Sequence, residues 1–371
     1  MPHSPKWRWP LQCSGCGELF PERGFPHCCP QCGSLFEFNV DLVYDPRAMD
    51  STQSGLERFR NSFPLPPDAD FISLGEGNTP LIQAKIEGRP IYFKCEHLNP
   101  TGSFKDRGAA VLVSALKYAG IEAAVEDSSG NAGASFAAYA AHAGLKAQVF
   151  IPDYASGPKR RQIEAFGAEV IPVPGPRSAA TEAVLEAVQE GAIYASHAYL
   201  PHGIAGMATI AYELFEQLNA VPGSIVTPVG QGSLLLGLAL GFQALLNASV
   251  IDHRPQLIAV QAKACAPIWA QLKADKVGLS ELSEEKTIAE GIRILNPLRA
   301  DGVISAIKGS HGDVIVVEED EILRGREELG RRGFYVEPTS SVVWSGLLKA
   351  WDQLHDPVVV MLTGTGLKSF H

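Results

Sequence analysis

From about residue 90 to the end of the chain, short apolar runs alternate with segments whose apolar residues recur at helical spacing. The apolar runs predict strands at residues 91–94, 148–151, 169–173, 225–229, 257–261, 314–317 and 358–362. The periodic segments predict helices at residues 106–118, 131–142, 159–166, 179–189, 234–246, 321–331 and 340–354. Strands that alternate with helices form parallel sheets covered by helices on both faces, so the pattern predicts an α/β protein.

Composition and charge narrow the classes of partner. The 371 residues include 31 Lys and Arg against 41 Asp and Glu, which gives a net charge of −10. An acidic surface argues against a nucleic-acid partner, because phosphates need a basic face. No apolar stretch reaches the roughly 20 residues that span a bilayer, and the first residues contain no apolar signal segment. We therefore expect a cytoplasmic protein with no membrane partner.

Two pairs of cysteines near the start of the chain have the spacing of metal ligands. Cys13 and Cys16 belong to one Cys-x-x-Cys-Gly turn, and Cys29 and Cys32 belong to a second after twelve intervening residues. Four thiolates at one tetrahedral point would bind structural Zn²⁺, so the spacing predicts a zinc-ribbon-like module. Disulfides are the alternative, although an otherwise cysteine-poor cytosolic chain disfavours them. The neighbouring Cys28 lacks the spacing to Cys32 that Cys29 has.

One lysine and two glycine-containing loops have a setting suited to chemistry. Lys105 stands at the start of a predicted helix, where the positive end of the helix dipole lowers the pKa of an amine and favours its use as a nucleophile. The loop at 128–133 precedes the next helix, so its free N–H groups could bind an anion. A solvated surface lysine and an ordinary helix start are the alternatives.

The loop at 229–234 lies between a predicted strand and a predicted helix, which is the geometry of a phosphate cradle. It lacks the Gly-Lys-Ser/Thr of a nucleotide-binding P-loop and the glycine spacing of a dinucleotide-binding fold. The sequence therefore predicts a phosphate site that belongs to neither of these two nucleotide-binding classes.

Taken in order, these motifs resemble the fold-type II pyridoxal-phosphate (PLP) enzymes, and among them most closely the threonine synthase family. The resemblance runs from about residue 74 to residue 368 and rests on the motifs at 77–81, 99–108, 128–133 and 362–368. Paired cysteines like those near the start of the chain also occur in relatives of threonine synthase. The resemblance implies the tryptophan synthase β-like fold, with two parallel-sheet α/β subdomains.

The domain organisation follows from the cysteine pairs and from this resemblance. We expect a zinc-ribbon-like module at residues 1–40 and a PLP-dependent catalytic region at residues 41–371. Within the catalytic region, the smaller subdomain is expected at about 115–190 and the larger one in the remainder. A homodimer is compatible with the resemblance.

The resemblance also implies roles for particular residues. Lys105 would form the Schiff base with PLP and would move protons once the substrate releases it. Asn131 would hydrogen-bond the phenolic oxygen of PLP, and Thr363 would meet its pyridine nitrogen. The phosphate of PLP would be bound by Gly230, Gln231, Gly232, Ser233 and Leu234, and the small amino-acid substrate by Ser128, Ser129, Gly130 and Asn131.

One stretch departs from the pattern of the family. Threonine synthases usually carry an Asn-Ser-x-Asn-Pro-x-Arg-like stretch that helps to bind the substrate phosphate. Residues 196–206 keep only the proline, and Gly203 stands at the arginine position. The loss of a guanidinium removes the strongest bidentate partner of a phosphate. The candidate replacements are His197, His202, Lys159, Arg160 and Arg161, and a histidine would be charged only near or below a pKa of about 6.5.

Three hypotheses follow. The first is a threonine synthase-like lyase that converts O-phospho-L-homoserine and water into L-threonine and phosphate through the Schiff base at Lys105. The second is a serine or threonine ammonia-lyase or a related β-elimination or replacement enzyme. Residues 287–292 resemble threonine or serine dehydratases about as well as synthases, and Glu290 would face the cofactor or cap a helix. The third is a zinc-ribbon interaction protein with an inactive PLP domain, which the complete set of Lys105, Asn131 and Thr363 disfavours.

Overall fold

The computed structural model describes residues 7–273 and 286–369. Within them the strands are β1 (Leu11–Cys13), β2 (Phe36–Phe38), β3 (Leu81–Ile86), β4 (Arg89–Lys94), β5 (Ala123–Glu126), β6 (Lys146–Pro152), β7 (Glu169–Val173), β8 (Ser224–Pro228), β9 (Gln256–Ala262), β10 (Asp313–Val317) and β11 (Val358–Met361). The α-helices are α1 (Lys105–Tyr118), α2 (Asn131–Ala143), α3 (Pro158–Ala165), α4 (Arg177–Gln189), α5 (His202–Leu218), α6 (Ser233–Asn247), α7 (Pro267–Leu272), α8 (Ala300–Gly309), α9 (Glu319–Arg331) and α10 (Pro338–Lys349). None of these helices is long and apolar enough to cross a membrane.

Contacts between residues divide the chain into two units, and the first comprises Met1–Glu76 and Lys105–Gly206. Its central sheet is parallel, with the strand order β5-β6-β7, and Val125 lies opposite Gln148. Helices α1 and α2 pack against each other, and most of their residues are buried. The first unit also contains the small antiparallel sheet of β1 and β2.

The second unit comprises Gly77–Phe104 and Met207–His371. Its six-stranded sheet has the order β10-β9-β8-β11-β4-β3, and only the edge strand β3 pairs antiparallel with its neighbour. Val226, Val260 and Val360 are buried within its hydrophobic core. Strands β8 and β11 are parallel neighbours, so the loops that follow them lie at the same edge of the sheet.

Every predicted helix and strand is present, with one helix shorter than predicted, but β1, β2, β5, α7 and α8 are absent from the sequence prediction. The helix predicted at 340–354 ends at Lys349, and a separate 3-10 turn follows at Trp351–Gln353. The β3–β4 hairpin is absent from the sequence prediction, and its turn needs positive φ at Glu87 (47°) and Gly88 (85°).

Helix α5 is absent from the sequence prediction because its first turns contain two glycines, which disfavour a helix. Both glycines allow close contact with α1. A Cβ at Gly206 would lie 2.0 Å from the carbonyl oxygen of Arg107, and one at Gly203 would lie 3.2 Å from the backbone of Gly108. Tertiary packing therefore overrides local helix propensity at the start of α5.

The predicted domain boundaries stay predictions. The predicted smaller subdomain, at about 115–190, lies entirely within the first unit. The segment predicted as a zinc-ribbon-like module, residues 1–40, belongs to the same unit, together with the connector up to Glu76.

Candidate active site

The first unit contains the candidate lysine and the loop before α2. Lys105 is the first residue of α1, and Asn131 is the first residue of α2. Between β5 and α2, the hydroxyl of Ser128 accepts a hydrogen bond of 3.2 Å from the N–H of Gly130. A Cβ at Gly133 would lie 1.8 Å from the carbonyl oxygen of Ser128, so only glycine permits this turn. The start of α2 therefore has the backbone geometry of an anion site.

Four titratable groups of the first unit, Lys105, Glu126, Asp127 and His197, interact electrostatically. Burial lowers the pKa of Lys105 to about 8, and the nearby Glu126 opposes this fall. Burial raises the pKa of Glu126 to about 8, and the charge of Asp127 adds to the rise. One oxygen of Glu126 lies 2.7 Å from Nδ1 of His197. Burial holds the pKa of His197 well below its ordinary value, and Lys105 lowers it further.

Asp127 has its own set of partners. Its Oδ2 accepts hydrogen bonds from Nη2 of Arg177 at 2.9 Å and from the hydroxyl of Thr181 at 2.6 Å. Burial alone would raise the pKa of Asp127, but Arg177, Thr181 and Tyr194 together hold it below its ordinary value. Asp127 is therefore a paired carboxylate, whereas the adjacent Glu126 is a carboxyl group whose ionisation burial disfavours.

The second unit contains the glycine loop and Thr363 at the same edge of its sheet. The loop joins β8 to α6, and Gly232 has a φ of +85° immediately before the first residue of α6, Ser233. A Cβ at Gly230 would lie 3.0 Å from Cα of Ile292, so the loop backbone can lie this close to Ile292 only if residue 230 has no side chain. The predicted loop residues Gly230, Gln231, Gly232, Ser233 and Leu234 are consecutive here, and their N–H groups at a helix start suit a phosphate.

Thr363 follows the central strand β11. Its N–H donates to the hydroxyl of Ser340 at 2.9 Å, which fixes the backbone. Its own hydroxyl is buried and has no hydrogen-bond partner within residues 7–273 and 286–369. A buried hydroxyl costs free energy without a partner, so this position suits an acceptor such as a pyridine nitrogen. The loop and this hydroxyl together fit PLP.

Comparison with known proteins identifies the family. The family model described as "Pyridoxal-phosphate dependent enzyme" matches residues 72–364. The threonine synthase of Methanocaldococcus jannaschii is 32% identical over 375 residues, which cover 96% of this chain and 92% of that protein. The threonine synthase of a Synechocystis species is 34% identical over 323 residues, which cover 84% of this chain and 82% of that protein. The chain belongs to the threonine synthase family.

A solved structure supports the same fold. The crystal structure of the T.th. threonine deaminase matches with a TM-score of 0.68 and 27% identity, covering 79% of this chain and 94% of that one. The predicted fold-type II fold, with its parallel α/β sheets, is thereby confirmed. Membership of the threonine synthase family also confirms the prediction of a PLP-dependent lyase.

The two histidines of the loop that departs from the threonine synthase pattern have different surroundings. His197 lies 2.7 Å from a Glu126 oxygen, and burial lowers the pKa of His197 well below its ordinary value, which disfavours its charged form. A phosphate-binding role for it stays a prediction. His202 is fully buried, and its ring packs against Trp9, Phe20 and Phe25 at centroid distances of 5.1, 5.7 and 4.9 Å. An imidazole inside an aromatic cluster is a packing residue rather than a phosphate ligand.

The other candidate replacements for the missing arginine, and Glu290, are half-buried or exposed. Arg160 donates to Glu164 at 2.9 Å, an i,i+4 pair along α3. Arg161 is exposed and Lys159 is half-buried on the same helix. Glu290 is exposed and is the first residue of the 3-10 helix Glu290–Ile292.

The four predicted cysteines lie together in the first unit. The Sγ atoms of Cys13, Cys16, Cys29 and Cys32 are all within 4.8 Å of one another. Each turn is closed by a backbone hydrogen bond, from the N–H of Gly17 to Cys13 at 3.0 Å and from that of Gly33 to Cys29 at 2.8 Å. Both glycines have φ near +75°, as the predicted Cys-x-x-Cys-Gly turns require.

Sequence reasoning missed the polar groups around Glu126. Glu126 is the last residue of β5, and Asp127 follows it immediately before Ser128. Two consecutive acids at the end of an apolar strand were an available signal. The partners of these acids could not be inferred, because His197 and Arg177 lie 71 and 50 residues further along the chain.

Proposed function

We propose that the protein converts O-phospho-L-homoserine and water into L-threonine and phosphate, with PLP as cofactor. The observation that carries this proposal is the similarity to threonine synthases over nearly the whole chain. In the reaction, the bond between Cγ and the phosphate oxygen breaks, the hydroxyl of water adds to Cβ, and protons move among the Cα, Cβ and Cγ positions.

PLP, when bound, withdraws electrons from the amino acid and so lets protons leave these carbons. Lys105 would bind the cofactor covalently and would carry the protons. Its pKa of about 8 supports this role, because an amine that is partly neutral near physiological pH can both accept and return a proton.

The remaining residues would orient the cofactor. Gly230, Gln231, Gly232, Ser233 and Leu234 would hold its phosphate through backbone N–H groups, and Asn131 would donate to its phenolic oxygen. Thr363 would meet the pyridine nitrogen, and its hydroxyl without a partner in the described chain supports this assignment. A neutral hydroxyl does not force a proton onto that nitrogen, which favours elimination and replacement. Ser128, Ser129, Gly130 and Asn131 would bind the substrate at the start of α2.

A second candidate is a threonine or serine ammonia-lyase. The similarity to the threonine deaminase structure and the glycine at position 203 favour it. The deciding experiment measures phosphate release from O-phospho-L-homoserine and keto-acid release from L-threonine with the same preparation. Phosphate and L-threonine formed in equal amounts support the synthase. Keto acid and ammonia without phosphate release would favour the ammonia-lyase.

We also propose that Cys13, Cys16, Cys29 and Cys32 bind one structural Zn²⁺ in a zinc-ribbon-like module. Tetrahedral Zn²⁺ with bonds of about 2.3 Å places its sulfurs about 3.8 Å apart. The separations of 3.4 Å between Cys13 and Cys32 and 3.6 Å between Cys16 and Cys29 are close to that value. Elemental analysis should find one zinc per chain in the wild type and none in Cys13→Ser/Cys32→Ser. Zinc that is absent from the wild type would contradict the proposal. A homodimer and a cytoplasmic location stay predictions.

A further inference from the structure

A stripe of polar side chains runs along one face of helix α2. Asn131, Ser135 and Tyr139 follow one another at intervals of four residues, so they share a face of the helix. The other residues that α2 buries are alanines, a glycine and a phenylalanine. Ser135 and Tyr139 are fully buried, whereas Asn131 is half-buried. The stripe therefore leads from the predicted cofactor residue into the interior of the first unit.

Both buried members of the stripe bind carboxyl groups that lie outside α2. The hydroxyl of Ser135 donates to Oδ1 of Asp106 at 2.7 Å. The hydroxyl of Tyr139 donates to Oε2 of Glu76 at 2.6 Å. Two such bonds on one face fix the rotation of α2 about its own axis. Because Asn131 lies on the same face, they also fix the direction in which its side chain leaves the helix.

The bond between Ser135 and Asp106 connects the starts of two helices. Asp106 is fully buried and directly follows Lys105 in the first turn of α1. Ser135 lies about one turn after Asn131 in α2. A serine inside a helix can donate its one hydroxyl hydrogen to a carbonyl of its own preceding turn, but this serine donates to α1 instead. The bond therefore joins the turn that contains Lys105 to the turn that follows Asn131.

We propose that Ser135 is a positioning residue: its hydrogen bond to Asp106 holds Asn131 in a fixed place relative to Lys105. This inference rests on the proposed function in taking Lys105 and Asn131 as residues that bind PLP. Two residues can contact one rigid cofactor together only if their separation is set, because hydrogen bonds weaken steeply away from their best geometry. Ser135 supplies that alignment from the interior of the unit.

The test measures PLP binding by the full-length protein, without substrate. Cofactor-free protein is titrated with PLP, and the visible absorption of the bound cofactor is followed. Asn131→Ala removes a hydrogen bond to PLP and should raise the dissociation constant of PLP about tenfold. Ser135→Ala should raise it about three- to tenfold, because Asn131 is then misplaced. In the double variant Asn131→Ala/Ser135→Ala the second change should add nothing, because the group that Ser135 positions is already absent.

Ser114→Ala is the matched control. Ser114 is also a fully buried serine of the first unit, further along α1 than Lys105. Its hydroxyl donates to the carbonyl of Ala110 at 2.7 Å and accepts the N–H of Ile72 at 2.8 Å. Neither bond involves α2, so the loss of this hydroxyl should leave the dissociation constant of PLP unchanged.

Three results would overturn the inference. The first is an unchanged PLP affinity in Ser135→Ala, and the second is an equal loss of affinity when this change is made in the wild type and in Asn131→Ala. The third is an equal loss of affinity in Ser114→Ala, which would show a general effect of removing a buried hydroxyl.

Two further measurements keep the inference separate from folding and from the proposed reaction. If Ser135→Ala does not fold, Ser135→Cys replaces the hydroxyl with a weakly donating thiol, and a smaller loss of affinity that vanishes in Asn131→Ala is expected. An unchanged affinity there would count against the inference. A holoenzyme that binds PLP but releases no phosphate from O-phospho-L-homoserine would overturn the proposed function, and the titration results would stand.

Discussion

Lys94 and Lys105 are close in sequence, belong to different units, and have opposite electrostatic settings. Lys94 ends β4 in the second unit and is fully buried. Its Nζ donates to Glu213 at 2.6 Å, to the carbonyl of Thr79 at 2.8 Å and to Gln217 at 3.0 Å. Lys105 begins α1 in the first unit, and burial lowers its pKa to about 8. Acceptors surround the Lys94 amine, whereas burial disfavours the charged form of Lys105.

The ion pair of Lys94 with Glu213 also contacts the backbone turn before β3. Glu213 receives Lys94 on one carboxylate oxygen and the N–H of Asn78 on the other, at 2.8 Å. Asn78 has a φ of 48°, a left-handed conformation that its neighbours must maintain. The ion pair therefore holds the turn before β3. Lys94 is thus a structural lysine, bound into the fold by its acceptors.

The largest expected effect comes from removing the Lys105 amine. In Lys105→Ala the covalent link to PLP is lost, and turnover should fall by at least about 10²- to 10⁴-fold, because proton transfer loses its carrier. The purified variant should also lose the yellow colour of the lysine-bound cofactor. Turnover is measured by phosphate release under saturating substrate.

The same variant tests whether the two lysines differ. Lys105→Ala should unfold at the same urea concentration as the cofactor-free wild type or higher, because it removes a charge that burial disfavours. If Lys105→Ala lost as much stability as is expected for Lys94→Ala, the two lysines would not differ in their contribution to stability.

Removing the Lys94 amine should affect stability first. Lys94→Ala leaves Glu213 buried without its cation, and loss of one partner of a buried pair costs about 3–5 kcal/mol. The measurement is urea unfolding followed by circular dichroism. The double variant Lys94→Met/Glu213→Leu removes both charges and should recover much of the loss. A double variant as unstable as Lys94→Ala would show that the ion pair is not the cause.

The sequence could predict features that depend on neighbouring residues, such as the position of Lys105, but not contacts between distant residues, such as that of Lys94 with Glu213. The glycine loops, the cysteine turns and Lys105 at a helix start depend on residues a few positions apart, and local spacing predicted them. The ion pair of Lys94 with Glu213 spans 119 residues, and the contact of Glu126 with His197 spans 71. Such pairs form only after the chain has folded, so no local pattern indicates them. The buried start of α5 was missed for the same reason, since its glycines are required by contacts with α1.

The smallest expected effect is a change in the pH dependence of stability, and it sharpens the contrast between Glu126 and a fully paired acid. Burial raises the pKa of Glu126 from 4.5 to about 8, so between these values the folded protein binds a proton that the unfolded chain has released. The stability of the cofactor-free protein should therefore fall as pH rises from about 4.5 towards 8. The contribution of Lys105 has the opposite sign and lies at higher pH, between about 8 and 10.5, because its folded pKa is lowered.

Glu126→Gln removes the first contribution and, because Glu126 opposes the fall of the Lys105 pKa, extends the second to lower pH. The gap in unfolding free energy between this variant and the wild type should widen by about 1 kcal/mol for each pH unit between 5 and 8, close to the 1.4 kcal/mol limit for one proton. Urea unfolding of both proteins at pH 5, 6, 7 and 8 measures this gap. Asp127→Asn is the control: burial opposes but Arg177, Thr181 and Tyr194 lower the pKa of Asp127, so its own contribution is lost only towards acid pH. Because the Asp127 charge adds to the rise of the Glu126 pKa, this variant should reduce the Glu126 contribution without removing it. Parallel stability profiles for the wild type and Glu126→Gln would contradict this prediction. They would mean that Glu126 is already ionised at pH 5, so that its charge would not change between pH 5 and 8.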